Sequence, residues 1–386
     1  MLAPVHLVAC TDSHGIGGAE ISLANLVAEV DPALRVDVLG VDEAVVARVA
    51  AGRPQARAVV APPSRHPALL ARLRPDVVHA NLAVPWAGPT DLAAALALPR
   101  TRVVAVQQLP LRTVALPVWL RTRTLLRRLD AHVAVGEASA RRMEDFYALG
   151  RGSVVSVPNC VPDCYRSGHD ASTPHSVRGG RPAPDPAPPP RAPRVPDAPL
   201  VVGSLGRLDA AKGYDVLLRA LARLPGVRAV VLGEGGARAA LEASARDLGV
   251  ADRVELPGWS DAPATALNGF DVFCLPSRSE GFPLSIVEAM LAALPVVATR
   301  VGSVAELVAD GCTGLLMERD DVDGLVAALA RLRDDTALRE RLGDAGRRRA
   351  LASYTVGHMA RAYEKLWAQV VSGRRTPRLR PAAPRP

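Results

Sequence analysis

The chain has 386 residues, 49% of them hydrophobic, which is enough for two or three domains and too apolar for a wholly disordered protein. Its 47 basic residues exceed its 39 acidic ones, giving a net charge of +8, but residues 166–199 carry +2 of this and residues 367–386 carry +5. With the excess outside the candidate cores and aromatics at 3% of the chain, the basic face interleaved with aromatics that a nucleic-acid reader needs is not expected.

The opening MLAPVHLVACTDSHG lacks a basic lead and reaches Asp12 after a short apolar run, so it reads as a first strand and not a signal peptide. From there, apolar runs of strand length alternate with helical segments: 5–10, 35–40, 76–80, 102–107, 132–136 and 153–158, with a helix at 19–30. This alternation predicts parallel βαβ units with helices on both faces, here as a first domain over residues 1–165. Within it, residues 116–129 (LPVWLRTRTLLRRL) interleave leucines and Trp119 with four arginines, which fits either an ordinary helix with a solvated face or peripheral contact with an anionic membrane. Residues 166–199 are dense in proline and lack apolar periodicity, so they are expected to form a disordered tether.

A second alternating series at 200–206, 227–233, 253–256, 271–276, 295–299 and 313–317 predicts another doubly wound α/β domain over 200–355. Residues 356–370 have helical periodicity and are expected to pack back on the first domain, followed by a basic Pro/Arg tail at 371–386. Cys10, Cys160, Cys164, Cys274 and Cys312 show no zinc-like spacing and no disulfide framework, and no run approaches the ~18 apolar residues of a membrane span. A cytoplasmic protein, peripheral at most, is expected.

Each series opens with a strand and a glycine-bearing turn, the place where open α/β sheets bind ligands. In the first it is Gly15-Ile16-Gly17-Gly18-Ala19-Glu20; a dinucleotide fingerprint would need a glycine where Glu20 stands. In the second, Arg207 and Lys212 flank the start of a helix in a chain whose only other lysine is Lys365, and two such cations suit a diphosphate. Further on, Glu280 and Glu288 bracket Gly281-Phe282-Pro283-Leu284-Ser285, a loop turning into a helix near Pro283. An anion site at the helix start with two hydroxyl-accepting carboxylates suits a sugar diphosphate.

These residues resemble a glycosyltransferase of family 4, the retaining enzymes with the GT-B fold. The resemblance rests on Gly206-Arg207-Leu208 with Lys212-Gly213, Gly233-Glu234-Gly235, Pro257-Gly258-Trp259-Ser260-Asp261, the Glu280 to Glu288 segment and Leu294 to Thr299, with Gly17 to Glu20, Pro75 to Ala80 and Val157-Pro158-Asn159 in the first domain. It implies two Rossmann-like domains facing across a cleft and metal-independent, retaining transfer of a hexosyl unit from a nucleotide-diphosphate sugar, without a cofactor. It also implies a small-molecule, glycan or lipid-linked acceptor in cell-surface polysaccharide, glycolipid or secondary-metabolite synthesis. By the resemblance, Arg207 and Lys212 hold the diphosphate, Glu288 the ribose and Glu280 the hexose, assisted by amides from Phe282 to Ser285. Gly258 lies by the base, Gly235 belongs to the donor side, and Gly17 and Gly18 face the donor from the first domain. His79 occupies a family-like strand end. Where many members have a histidine after the strand at 102–107, this chain has Gln107 and Gln108, and Cys160 follows Asn159 where a glycine is usual. These departures leave open a catalytically impaired nucleotide-sugar binding protein of the same fold.

Overall fold

The computed structural model describes residues 5–163, 198–260 and 263–373. The expected tether therefore lies outside the described residues except for positions 198 and 199, as does Cys164, and so does the tail from position 374 onward. Of the described residues, 5–162 and 356–373 form one unit and 163 with 198–355 form the other.

In the first unit β1 (His6–Thr11) is followed by α1 (Gly18–Glu29), β2 (Arg35–Gly40), α2 (Glu43–Ala50), β3 (Arg57–Val60), α3 (His66–Leu73), β4 (Val77–Leu82) and α4 (Pro89–Leu96). Then come β5 (Arg102–Gln107), α5 (Leu116–Leu126), β6 (Ala131–Ala134), α6 (Glu137–Phe146) and β7 (Val154–Ser156). All seven strands are parallel, in the order β3-β2-β1-β4-β5-β6-β7. Every residue of β1 and β4 is buried, the polar His79 and Asn81 of β4 included, as expected of strands covered on both faces. Strand β3 has no counterpart in the sequence reading. It is an edge strand whose four residues are mostly exposed, so it offers no buried run to detect.

The second unit repeats the plan with β8 (Leu200–Leu205), α7 (Tyr214–Arg223), β9 (Val227–Leu232), α8 (Arg238–Asp247), β10 (Val254–Gly258), α9 (Pro263–Leu267) and β11 (Val272–Leu275). It continues through α10 (Leu284–Leu291), β12 (Val296–Thr299), α11 (Val304–Leu307), β13 (Gly314–Met317), α12 (Val322–Asp334) and α13 (Thr336–Ser353). Its parallel sheet runs β10-β9-β8-β11-β12-β13. Leu200, Val202, Leu217, Leu221, Val272 and Val297 anchor a core in which each is fully buried.

The last helix, α14 (Val356–Val371), belongs to the first unit and packs on α1 and β5. It buries Met359, Tyr363, Leu366, Trp367 and Val370 there, on the face that the helical periodicity of 356–370 marks out.

Candidate functional site

In the second unit β8 and β11 are neighbours, and the sheet grows outward from them in both directions. Connections leaving their carboxyl ends therefore diverge, opening the crevice in which such sheets bind ligands. Two loops border it, residues 206–213 after β8 and residues 276–283 after β11.

Local chemistry shapes both loops. The Asp209 side chain accepts the Lys212 N–H at 3.2 Å, curling residues 210–212 into one tight turn. Gly213 then takes a φ of +65°, and a Cβ there would lie 2.1 Å from the Pro276 carbonyl oxygen, so both the turn and the approach of the second loop require glycine. Arg278 fastens the loops together. Its guanidinium forks onto Asp215 at 2.8 and 2.7 Å, donates to Asp320 at 2.6 Å and to the Ala210 carbonyl at 2.8 Å, while its backbone N–H reaches the Ala211 carbonyl at 2.7 Å. This pairing holds the Asp215 carboxyl below its usual range.

So positioned, Lys212 Nζ donates to Glu280 Oε1 at 2.6 Å, with the two side chains only 18% and 9% exposed. The buried Ser277 hydroxyl donates to the same oxygen, also at 2.6 Å. No protein donor reaches Oε2 among the described residues. On the other side of the loop Gly302, at φ +54°, passes so close that a Cβ would lie 2.0 Å from the Glu280 carbonyl oxygen.

Helix α10 starts immediately after this pair, with Pro283 as its N-cap. Its first N–H groups have no partner within the helix and carry partial positive charge. Six of its eight residues are buried; the other two, Ser285 and Glu288, are three apart and share one face. Burial pushes the Glu288 carboxyl up to about 7, and no ion-pair partner faces it among the described residues. Phe282 is buried and tilts against Tyr354 at 5.7 Å, fixing the loop without offering a polar group of its own.

Arg207 stands at the mouth of the first loop, its side chain 74% exposed and 3.1 Å from Asp209. Gly235 is accounted for by packing, since a Cβ there would lie 2.3 Å from the Leu208 carbonyl oxygen. Gly258, at φ +97°, receives the Gly233 N–H on its carbonyl at 2.8 Å and is followed by the exposed Trp259. Lys212, Glu280, Ser285 and Glu288 are thus brought to one end of the sheet, with Arg207 beside them. Asp215, Ser277 and Arg278, which hold that arrangement, were not singled out from the sequence. Arg278 is one of many arginines, and its partners lie 42 and 63 positions away.

In the first unit the glycine turn follows β1 at the β1/β4 switch point. Gly17 caps α1, and its N–H donates to Glu20 Oε2 at 3.0 Å; Glu20 is buried, and that burial raises its carboxyl. A Cβ on Gly18 would meet nothing within 4 Å, and one on Gly17 only the Glu20 carboxylate at 3.4 Å, so neighbouring protein atoms do not dictate glycine at these positions.

His79 is placed differently from a sugar-facing residue. It is buried edge-on against Tyr363 and Trp367 of α14, with centroids 5.0 and 5.6 Å away, and burial lowers it to about 3, so the ring is neutral and structural. Gln107 is wholly buried, and neither atom of its amide finds a hydrogen-bonding partner among the described residues. Gln108 and Asn159 hydrogen-bond each other at 2.8 Å. Among the described residues no three His, Cys, Asp or Glu side chains group as a metal site would need, and no helix is long and apolar enough to cross a membrane.

Residues 190–349 match the family described as glycosyl transferases group 1, and residues 16–163 match Glycosyltransferase Family 4. The lipopolysaccharide core biosynthesis glycosyltransferase LpsE of Rhizobium meliloti (strain 1021) is 36% identical over 172 residues, 45% of this chain and 50% of that one. The GDP-mannose-dependent alpha-(1-6)-phosphatidylinositol monomannoside mannosyltransferase of Mycolicibacterium smegmatis is 35% identical over 197 residues, 47% of this chain and 50% of that one. The chain thus spans about half the length of these curated relatives. In fold it is similar to Anabaena Alr3699/HepE, solved in complex with UDP, with a TM-score of 0.78 and 19% identity over 95% of this chain and 100% of that one.

Proposed function

We propose that this chain, which belongs to the group 1 glycosyltransferases of family 4 and has their two-domain GT-B fold, moves a hexosyl unit from a nucleotide-diphosphate sugar to an acceptor with retention at the anomeric carbon. The observation that carries this reading is the pairing of Lys212 with Glu280 beside the α10 N-terminus, with Ser285 and Glu288 on one face of that helix.

Cleaving the sugar–diphosphate bond builds negative charge on the leaving oxygen. Lys212, Arg207 and the helix end supply fixed positive charge for it, and such charge accelerates the step because it is worth more in the transition state than in the ground state. With those cations in the role a divalent ion would fill, transfer is metal-independent, and chelation with EDTA leaves turnover unchanged. Glu280, held by Lys212 and Ser277 through Oε1, turns Oε2 toward a hexose hydroxyl, and Glu288 accepts from the ribose. The nucleoside extends across β9 toward Gly258 and the exposed Trp259 ring, and in the first unit Gly17 and Gly18 leave room for a ligand at the head of α1.

UDP bound by HepE and GDP-mannose used by the mycobacterial relative bracket the donor choice. A thermal-shift and turnover panel of UDP-, GDP- and ADP-sugars tests it: one nucleotide class raises the melting midpoint and is consumed with an acceptor extract. No stabilisation by any of the three sinks the assignment. Stabilisation without turnover supports the second reading, an impaired binder, for which the packed His79 and inaccessible Gln107 speak.

The acceptor belongs to a cell-surface polysaccharide, glycolipid or secondary metabolite, as the lipopolysaccharide and phosphatidylinositol substrates in relatives' names suggest. The work is done in the cytoplasm, at the membrane face. Around α5, Val114, Leu116 and Leu120 are exposed beside Arg112, Arg121, Arg127 and Arg128, an apolar and basic surface that suits anionic lipid. Co-sedimentation with anionic but not neutral vesicles is the expected result; equal failure with both removes the membrane from the reading.

A further inference from the structure

Four buried or half-buried side chains of the first unit close a ring of hydrogen bonds with one backbone carbonyl. The Ser22 hydroxyl donates to Asn159 Oδ1 at 2.7 Å, Asn159 Nδ2 to Gln108 Oε1 at 2.8 Å, Gln108 Nε2 to Asn81 Oδ1 at 2.7 Å, and Asn81 Nδ2 to the Ala19 carbonyl at 3.2 Å. The ring leaves α1 at Ser22 and returns to it at Ala19, crossing the ends of β5 and β4 on the way.

Its direction is dictated at one point. A carbonyl can only accept, so Asn81 must offer Ala19 its NH2 and therefore turns its oxygen to Gln108. Gln108 must then give its NH2 to Asn81 and its oxygen to Asn159. Asn159 is left with an oxygen for Ser22, whose hydroxyl rotates to donate. A side chain with a donor at one end and an acceptor at the other is required at position 108, and glutamine provides both.

We propose that Gln108 is a positioning residue: through Asn81 it sets the Ala19 carbonyl, and with it the Gly15–Gly18 turn at the head of α1, and it does not itself exchange protons with the sugar. This rests on the reading that Gly17 and Gly18 face the donor. The same turn is held from its other side by Glu20 on the Gly17 N–H, and the Ser13 hydroxyl donates to the Gly15 carbonyl within it at 2.7 Å.

Gln108→Glu in the full-length protein tests this. The ionised carboxylate still accepts from Asn159 but presents a lone pair to Asn81 Oδ1, breaking one link, whereas the protonated carboxyl donates to Asn81 and closes the ring again. Ser22, Asn81 and Asn159 do not titrate. Asp12 and Glu20, the carboxylates of the same turn, are common to wild type and variant, so the ratio of the two isolates the new carboxyl. Hydrogen exchange of the peptide covering residues 13–23, corrected for intrinsic rates, is read at about pH 8.5 and at about pH 4.3, where an ordinary glutamate is half protonated. Donor kinetics with UDP-glucose and GDP-mannose are read at the same values.

The expected result is faster exchange and a kcat lowered about tenfold with KM changed less than about threefold at the higher pH, both returning toward wild type at the lower. Gln108→Met, which lacks both links, stays impaired at both. A Gln108→Glu variant that matches wild type throughout, or is equally impaired at both pH values, overturns the proposal. The exchange readout needs no turnover. A wild type that consumes neither donor while its variant shows the pH-reversible exchange refutes the functional reading and leaves the positioning role standing.

Discussion

At the scale of single residues, the pair Lys212–Glu280 divides labour between charge and orientation. On the proposed function Lys212→Ala removes a cation that opposes charge on the leaving group, so kcat should fall by ~10²-fold or more while donor affinity, measured by calorimetry, falls far less. Wild-type turnover in both Lys212→Ala and Arg207→Ala would contradict the diphosphate assignment. Glu288 makes a different prediction, because burial lifts its carboxyl from the usual 4.5 to about 7. Between those values the folded chain holds this proton more often than the unfolded chain does, so its contribution lowers stability as pH rises through that window. Glu288→Gln should flatten that part of the stability profile in denaturant titrations. The ribose hydroxyls that the proposed function places on this carboxylate would favour its ionised form. Donor binding near pH 7 should therefore release a proton, detected as a dependence of the calorimetric enthalpy on buffer ionisation, and Glu288→Gln should abolish it.

At the scale of elements, the site is an agreement between two loops, and Arg278 enforces it. Arg278→Lys keeps the charge but cannot fork onto Asp215 while also reaching Asp320 and the Ala210 carbonyl. Because those carboxylates are 40% and 42% exposed, the stability cost should be small, about 1 kcal/mol. The cost in turnover should be larger, about tenfold, because Lys212 loses its register with Glu280. A turnover loss no greater than the stability loss would show that the loops keep their register without the fork. The same pair of loops shows what a sequence reveals. Glycines, prolines and the Glu280 to Glu288 spacing are local signals and were legible, as were the buried strands with their largely apolar runs. Edge strand β3 was not, because exposure removes its pattern. Ser277, Arg278 and Asp215 were not, because their meaning lies in contacts between common residue types far apart in the chain. Gln108 could be noticed only as a departure from a resemblance; the ring that explains it joins four segments.

At the scale of the whole molecule, the first unit is completed by a helix that follows the second unit in the chain. Trp367 and Tyr363 of α14 cover His79, and burial keeps that imidazole neutral to about pH 3. Trp367→Ala should cost about 3–5 kcal/mol, read as a lowered midpoint for the unfolding transition that reports on the first unit. It should spare the transition of the second unit, whose core contains no residue of α14. If both transitions fell together, the units would not unfold independently.

The return of α14 also sets an order on synthesis. A ribosome delivers β1 to β7 before the second unit, yet the helix that covers this unit's His79 emerges only after residue 355, once the whole second unit has been translated. Residues 198–355 form a contiguous stretch that can fold as soon as it clears the exit tunnel, while the earlier unit waits with the apolar seat for α14 uncovered. At ~5–20 residues per second that interval lasts about ten seconds or more, during which the nascent first unit is a natural client for a chaperone. The unit begun first is the one finished last.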